Sequence, residues 1–142
     1  MSKLIFFVDD DKMIINLLEY TFHSQSQYKA KSFISGEDCV DAMKEHPDLI
    51  VLDHQLSRTD ESKMDGIDTL KKIRSISPDI PVIVLTAHGT DDLYKRFIDA
   101  GANRFLTKDD YFIDMLMDSI SEVLNWAREL HRFFRFNSLM LF

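Results

Sequence analysis

The chain contains 142 residues, 45% of them hydrophobic, and this length predicts a single globular domain with one sizeable core. Its single cysteine, Cys39, excludes an intramolecular disulfide and any zinc site built on several thiolates. With 17 basic against 24 acidic residues, the net charge is −7, which argues against a general nucleic-acid-binding surface. The apolar runs are too short for a signal-peptide core or a membrane span, so we expect a soluble, cytoplasmic protein.

Short apolar segments alternate along the chain with segments of helical apolar spacing. The apolar runs predict buried strands at residues 4–8, 48–53 and 81–86, and weaker strands at residues 28–34 and 103–107. Helical spacing begins at Lys12 and places on one face Ile14, Leu17, Leu18 and Phe22. Further helices are predicted at residues 35–44, 66–75, 89–100 and 110–134.

This alternation predicts the fold class. Fully apolar strands separated by crossover helices indicate a parallel sheet that is covered on both faces. We therefore expect an α/β protein of the flavodoxin-like (βα)5 type, with a doubly wound five-stranded parallel sheet and a long C-terminal helix. In such open sheets, functional sites form at the carboxyl ends of the strands.

Polar side chains stand at the ends of four of the five predicted strands. In chain order they are Asp9, Asp10 and Asp11, then Asp53, Thr86 and Lys108. Carboxylates brought together at buried strand ends repel one another unless a cation neutralises them. Oxygen ligands favour Mg²⁺, with Mn²⁺ as an alternative, over zinc or copper. A divalent ion, a carboxylate nucleophile, a lysine and a hydroxyl are the groups that phosphoryl transfer to an aspartate requires.

These residues lie in segments that resemble the response-regulator receiver domain of bacterial two-component signalling. The resemblance extends from residue 3 to about residue 127. It is carried, in order, by Val-Asp-Asp-Asp at residues 8–11, Pro-Asp-Leu-Ile-Val-Leu-Asp at 47–53, Met-Asp-Gly at 64–66, Val-Ile-Val-Leu-Thr-Ala at 82–87 and Gly-Ala-Asn-Arg-Phe-Leu-Thr-Lys at 101–108.

The resemblance implies a phosphoacceptor and a metal site. Asp53 would accept the phosphoryl group and contribute to binding Mg²⁺. Asp10 would bind the metal directly, and Asp9 would help, through water. The backbone carbonyl of Gln55 would supply a further ligand.

The resemblance also implies a switch and its partners. Thr86 would bind a phosphoryl oxygen and reposition on activation, Phe105 would change rotamer with it, and Lys108 would pair with the phosphoryl group. The donor would be a phosphohistidine on a sensor histidine kinase or a histidine phosphotransfer protein, and the output would be an altered surface for a downstream protein. Such a chain is a signalling receiver that assists its own phosphorylation and dephosphorylation rather than an enzyme with a separate substrate.

Two features depart from the family pattern. Asp65 and Gly66 lie twelve and thirteen residues after Asp53, so the intervening loop is longer than usual by about five residues. The loop, which contains Ser57, Arg58, Asp60, Glu61 and Lys63, is either a tolerated surface insertion or a modifier of partner choice or phosphoryl lifetime. Asp109 follows Lys108 where many members have a cis proline, and we expect a trans bond there.

Several polar residues near these segments also have ordinary structural interpretations. Asp11 and Asp65 are expected to be helix N-caps, and Asp109 and Asp110 to cap the last helix. His54 and His88 either line the mouth of the site or are exposed loop residues. Cys39 is expected in the core.

Two other functions remain open on the sequence alone. Asp9-x-Asp11 also fits the nucleophile motif of haloacid-dehalogenase-like phosphatases, which would not need Asp53. A receiver-like scaffold that works without phosphorylation is the second alternative.

The end of the chain exceeds what a receiver needs. Four of the eleven phenylalanines fall within residues 132–142. We expect residues 1–127 to form the receiver domain and residues 128–142 an extended helix or apolar tail. For residues 128–142 we consider four roles: packing on a second subunit as a homodimer, folding back onto the same domain, serving as a linker, and contacting a membrane.

Overall fold

The fold is built on one sheet, seen in a computed structural model that describes residues 2–56, 60 and 62–140. The strands are β1 (Lys3–Val8), β2 (Tyr28–Phe33), β3 (Leu49–Asp53), β4 (Val82–Thr86) and β5 (Arg104–Thr107). Neighbouring strands are all parallel, in the order β2-β1-β3-β4-β5. The predicted five-stranded, doubly wound sheet is confirmed.

Helices cover both faces of this sheet. They are α1 (Lys12–His23), α2 (Gly36–Asp41) with a 3-10 turn (Ala42–Glu45), α3 (Gly66–Ile76), α4 (Asp91–Asp99) and α5 (Phe112–Met140). On one face, α1 and α5 pack against Ile5 and Phe7 of β1. On the other, α2, α3 and α4 pack against Phe6 and Val8. Successive side chains of a strand point to opposite faces, so the apolar run of β1 supplies both cores.

Side-chain caps define where most of the helices begin. Asp11, Ser35 and Asp65 each accept a hydrogen bond from a backbone N–H of the following helix, as predicted. Helix α4 begins at Asp91 rather than residue 89, because the side chain of Thr90 caps it by accepting from the N–H of Leu93.

Two details of the predicted helices were wrong. On α1, Ile15 is buried in place of Leu17, which is 43% exposed. The predicted helix over residues 35–44 is α-helical only to Asp41 and continues as the 3-10 turn, after which His46 adopts a left-handed conformation with φ 57°. The left-handed Gly101, with φ 109°, follows α4 as the sequence predicted.

Helix α5 is the longest element, with 29 residues, and it continues six residues beyond the predicted end at residue 134. Its buried stripe consists of Phe112, Leu116, Ile120 and Val123. Between residues 128 and 140 the sequence has neither glycine nor proline, so nothing local ends the helix. Within the described residues, no helix combines the length and the apolar character that crossing a membrane requires.

Truncation of a buried side chain of α5 tests how this helix is held. Ile120 is fully buried, so we expect Ile120→Ala to lower the free energy of unfolding by about 2–5 kcal/mol, measured by urea denaturation. Met115→Ala, on the same helix at a side chain that is 49% exposed, is the matched control and should change stability by less than about 0.5 kcal/mol. Equal losses in the two variants would contradict this packing.

Candidate functional site

Three carboxylates meet at the carboxyl edge of the sheet. Asp9 follows β1, and Asp53 ends β3, which lies beside β1 with Val8 opposite Leu52. Carboxylate oxygens of Asp9, Asp10 and Asp53 all lie within 4.8 Å of one another. Asp9 and Asp53 are only 2% and 5% exposed, whereas Asp10 is exposed to solvent. The apolar strands thus carry two of these charges into the protein, and the third faces the opening.

One ammonium group is shared between the two buried carboxylates. Lys108 Nζ donates to Asp9 Oδ2 at 2.7 Å and to Asp53 Oδ1 at 3.0 Å. The backbone N–H of Lys108 donates to the carbonyl of Thr86 at 2.7 Å, which holds this segment against the end of β4. The bond to Asp109 is trans, as expected, and Asp109 accepts hydrogen bonds from the N–H groups of Tyr111 and Phe112 at the start of α5.

The pKa values of Asp9, Asp53 and Lys108 reflect the burial of two carboxylates beside only one positive charge. Burial raises the pKa of Asp9, and the charge of Asp53 raises it further, although the hydrogen bond from Lys108 opposes both. Burial also raises the pKa of Asp53, which the charge of Lys108 only partly offsets. Burial alone would lower the pKa of Lys108, but its hydrogen bonds and charge interactions with Asp9 and Asp53 outweigh burial and raise it. A single ammonium therefore leaves the pair undercompensated.

The residues present fit a divalent cation. All the clustered donors are carboxylate oxygens, which suit Mg²⁺ or Mn²⁺. The cluster holds three carboxylates against one ammonium, so an added cation would relieve an excess of negative charge. Gln55 follows in the turn after β3, and its backbone N–H is hydrogen-bonded to the Asp53 carboxylate. The predicted metal residues therefore belong to one end of the sheet.

The predicted switch pair lies beside this cluster. Thr86, at the end of β4, is fully buried, and its Oγ1 accepts a hydrogen bond from the N–H of His88 at 3.2 Å. Phe105 on β5 is half-buried, and its ring centroid lies 5.8 Å from those of both Tyr94 and Phe97 on α4. The aromatic group therefore joins β5 to α4.

Gly89 occupies the space between the two switch residues. A Cβ atom built on Gly89 would lie 3.2 Å from Phe105 Cε1 and 3.4 Å from both Thr86 Cγ2 and Thr107 Oγ1. The glycine thus leaves a gap against both predicted moving groups. Gly89 was predicted to lie in a helix, and its contact with Phe105 could not be predicted because 16 residues separate the two.

The long loop after Asp53 is anchored at its far end. Within the described part of the loop, Asp60 Oδ1 accepts hydrogen bonds from both the N–H and the hydroxyl of Ser62. The N–H of Met64 donates to Glu37 Oε2 on α2 at 3.0 Å. Ser57, Arg58 and Glu61, which belong to the same loop, lie outside the described residues. Sequence reasoning missed Glu37, because 27 residues separate it from Met64.

The two histidines near the site differ in exposure. His54 is half-buried, and its ring meets that of Phe97 edge-on at 6.1 Å between centroids. His88 is exposed, as one of its two interpretations expected. Cys39 is fully buried in the core, and burial raises the pKa of its thiol to about 12.

Replacing Asp53 tests the charge imbalance. Its pKa in the folded protein lies above the unfolded value of 3.8, so ionisation of Asp53 destabilises the folded state. We expect Asp53→Asn to raise the urea midpoint in metal-free buffer at neutral pH. The gain should shrink as the pH falls through the raised pKa of folded Asp53 and disappear below 3.8, where Asp53 is protonated in both states. Asp118→Asn, at an exposed carboxylate of α5, should give no such gain; an equal gain there would contradict this account.

Comparisons with known proteins agree with the fold and identify the family. Residues 5–121 match the family model described as the response regulator receiver domain. Sporulation initiation phosphotransferase F of Bacillus subtilis is 32% identical over 125 residues, which cover 87% of this chain and 95% of that protein. The alkaline phosphatase synthesis transcriptional regulatory protein PhoP of the same species is 35% identical over 109 residues, 76% of this chain but 43% of that longer protein.

A solved structure extends the likeness to three dimensions. The signal receiver domain of a Vibrio parahaemolyticus protein assigned as a LuxO repressor superposes with a TM-score of 0.80 at 27% identity. The match covers 92% of this chain and 96% of that one. The family match, the parallel sheet and the acidic edge together lead to one conclusion: this chain belongs to the response regulator receiver domain family of two-component signalling.

Proposed function

We propose that this receiver takes a phosphoryl group onto Asp53 from a phosphohistidine donor. The observation that carries the proposal is the Lys108 ammonium, which contacts both Asp9 and Asp53 beside the exposed Asp10. A carboxylate nucleophile, a fixed cation and clustered oxygen ligands converge at one opening, and phosphoryl transfer depends on such positioning and charge.

The transfer itself requires little rearrangement of the acceptor. An oxygen of Asp53 forms a bond to phosphorus as the donor's phosphorus–nitrogen bond breaks, and the leaving imidazole nitrogen keeps the electron pair and takes up a proton. Lys108 already contacts the Asp53 carboxylate, so its ammonium can neutralise charge on the phosphoryl oxygens. Asp9 keeps Lys108 in place at 2.7 Å while this occurs.

We assign the metal site to Asp9, Asp10, Asp53 and the backbone carbonyl of Gln55. Bound Mg²⁺, or Mn²⁺ in its place, would supply positive charge for the phosphoryl oxygens. The raised pKa values of Asp9 and Asp53 support this assignment, because they indicate negative charge that the protein alone leaves undercompensated.

The signal would leave the site through Thr86 and Phe105. Thr86 would bind a phosphoryl oxygen and draw away from its present position, and Phe105 would follow into the space that it vacates. The small size of Gly89 supports this coupled motion, since a side chain there would press on Phe105 and contact Thr86. Phe105 also contacts Tyr94 and Phe97, so its movement would alter the surface of α4.

The proposal includes the organisation and setting of the chain. Residues 1–127 form the receiver, and residues 128–142 form a segment for interaction, including the homodimer considered from the sequence. A sensor histidine kinase or phosphotransfer protein is the donor, a downstream protein reads the switched surface, and the location is cytoplasmic.

Intact-mass spectrometry tests the phosphorylation. With Mg²⁺ and a small phosphodonor such as acetyl phosphate, the chain should gain about 80 Da, and peptide mapping should place the group on Asp53. Asp53→Asn should abolish the gain, because the nucleophile is lost. Removal of Mg²⁺ with a chelator should reduce the rate by at least about 10-fold.

The controls of this experiment separate the alternatives. Asp118→Asn should be labelled like the unmodified chain, since it removes a remote carboxylate of α5. Label that persists in Asp53→Asn and disappears in Asp9→Asn would instead favour the haloacid-dehalogenase-like chemistry. No mass gain under any condition would favour a scaffold that works without phosphorylation.

Gly89→Ala tests the coupled switch. The new methyl group would contact Phe105 and Thr86, so we expect normal labelling of Asp53 with a diminished structural response. The readout is the change in amide NMR shifts of β4, β5 and α4 on phosphorylation, which should fall by about half or more. His88→Ala, at an exposed neighbour on the same loop, should leave the response intact. An unchanged response in Gly89→Ala would refute the role of this gap.

A further inference from the structure

The apolar stripe of α5 continues beyond the part of the helix that packs on the sheet. Its buried members end at Val123, and spacings of three or four residues then reach Ala127, Leu130 and Phe134, with the polar Asn137 next on the same face. Spacing of this kind keeps one face of a helix directed at a partner helix over several turns. The stripe past Val123 therefore has the spacing of a surface that contacts another helix, and this domain has no helix in that position among the described residues.

The continued stripe is widened by aromatic rings exposed to solvent. Trp126, Phe133 and Phe134 are 57%, 58% and 65% exposed. Because the described helix runs on without a turn to Met140, these rings do not fold back onto the domain. We refer to the set as the α5 stripe, which consists of Trp126, Ala127, Leu130, Phe133, Phe134 and Asn137.

The α5 stripe faces a groove along the amino edge of the sheet, opposite the edge that holds Asp53. Trp126, Leu130 and Phe134 form one wall of this groove of about 660 Å³. The other wall comes from the loop before β4, with Pro78 and Pro81. The groove is thus bounded by helix on one side and by strand-end loops on the other, which is a shape that accommodates a second helix.

We propose that the α5 stripe of a second copy of this chain occupies the groove, antiparallel to the first. The α5 stripe lies on the face of α5 that also packs against the sheet. In a parallel pair, the partner helix would therefore have to run through the space that the domain occupies. In an antiparallel pair, the two domains lie at opposite ends of the paired helices. Each helix end then approaches the amino edge of the other domain, and the contact is symmetric.

Charge complementarity favours a second copy as the occupant. The end of α5 carries Arg128, Arg132 and Arg135 against the single Glu129, whereas the chain as a whole has a net charge of −7. Asp79 and Arg74 both line the groove, so the attraction acts between the basic helix end and the acidic domain as a whole rather than at the groove lining. The basic helix end and the acidic domain are complementary surfaces of the same chain.

The area available is in the range of a specific interface. An aromatic side chain buries about 200 Å², so three rings more than half exposed on each copy contribute roughly 700 Å² in total. The remaining stripe residues and the groove loops bring the total toward the roughly 1,200 Å² at which stable interfaces begin.

Sedimentation equilibrium of the full chain tests the assembly. We expect a dimer at micromolar concentration, and we expect both Leu130→Asp and Phe134→Asp to shift the dissociation constant by at least about 100-fold. Met115→Asp is the matched control, because Met115 is an exposed apolar residue near the start of α5, about 16 Å along the helix from Trp126, so its replacement should leave the dimer intact. Circular dichroism would verify that each variant stays folded. A chain that stays monomeric at these concentrations overturns the proposal. This holds even if the chain binds anionic vesicles, which would indicate membrane contact instead.

A distance measurement tests the orientation. Tyr111 precedes α5 and is 75% exposed, so a spin label on Tyr111→Cys reports the separation of the two domains, while native Cys39 is buried and unreactive. Antiparallel helices that cross near residue 132 would hold the labels about 60 Å apart. Labels within about 25 Å would indicate parallel helices and refute the arrangement. Asp53→Asn should dimerise equally, so failure of the phosphorylation proposal would leave this result unaffected.

Discussion

The site depends on one ammonium group placed between two buried carboxylates. Without Lys108, the apolar strands β1 and β3 would carry Asp9 and Asp53 into the protein with no opposite charge, at a cost of several kcal/mol. With it, both carboxylates are held in fixed positions and neither is fully neutralised. The remaining negative charge would favour binding of a cation, and that cation would in turn offset the charge of a phosphoryl group. Stability given up at this edge of the sheet would then become affinity for the reacting groups.

The parallel sheet explains why such a cluster can be assembled from distant segments. Every strand ends at the same edge, so single residues after β1, β3, β4 and β5 meet although Lys108 lies 99 residues from Asp9. The same geometry places the phosphorylation site and the proposed assembly surface at opposite edges of the sheet. The carboxyl edge holds the acidic cluster with Lys108, whereas the amino edge, with Pro78, Pro81 and the α5 stripe, would make contacts with another molecule. Chemistry and assembly can then change independently.

Much of this arrangement could be predicted from the sequence, because strongly apolar strands that end in Asp53 and Thr86 leave few alternative placements. The family membership and the sheet followed from that pattern, whereas the roles of Asp9, Asp10, Gln55, Thr86, Phe105 and Lys108 stay predictions. Other features depended on tertiary structure. Ile15 and Leu17 are equally apolar, and only the position of α1 on the sheet decides which is buried. Likewise, the contacts of Glu37 with Met64, and of Gly89 with Phe105, join segments that no local pattern relates.

The short connection between Lys108 and α5 has a mechanical consequence. Only three residues separate Lys108 from Phe112, and Asp109 ties this connection to the first turn of the helix. A rigid rod of 29 residues is about 43 Å long, so a tilt of about 5° at its base would displace its far end by about 4 Å. Helix α5 would therefore act as a lever arm that magnifies small movements of Lys108. The same tilt of a shorter helix would displace its end by a proportionally smaller distance.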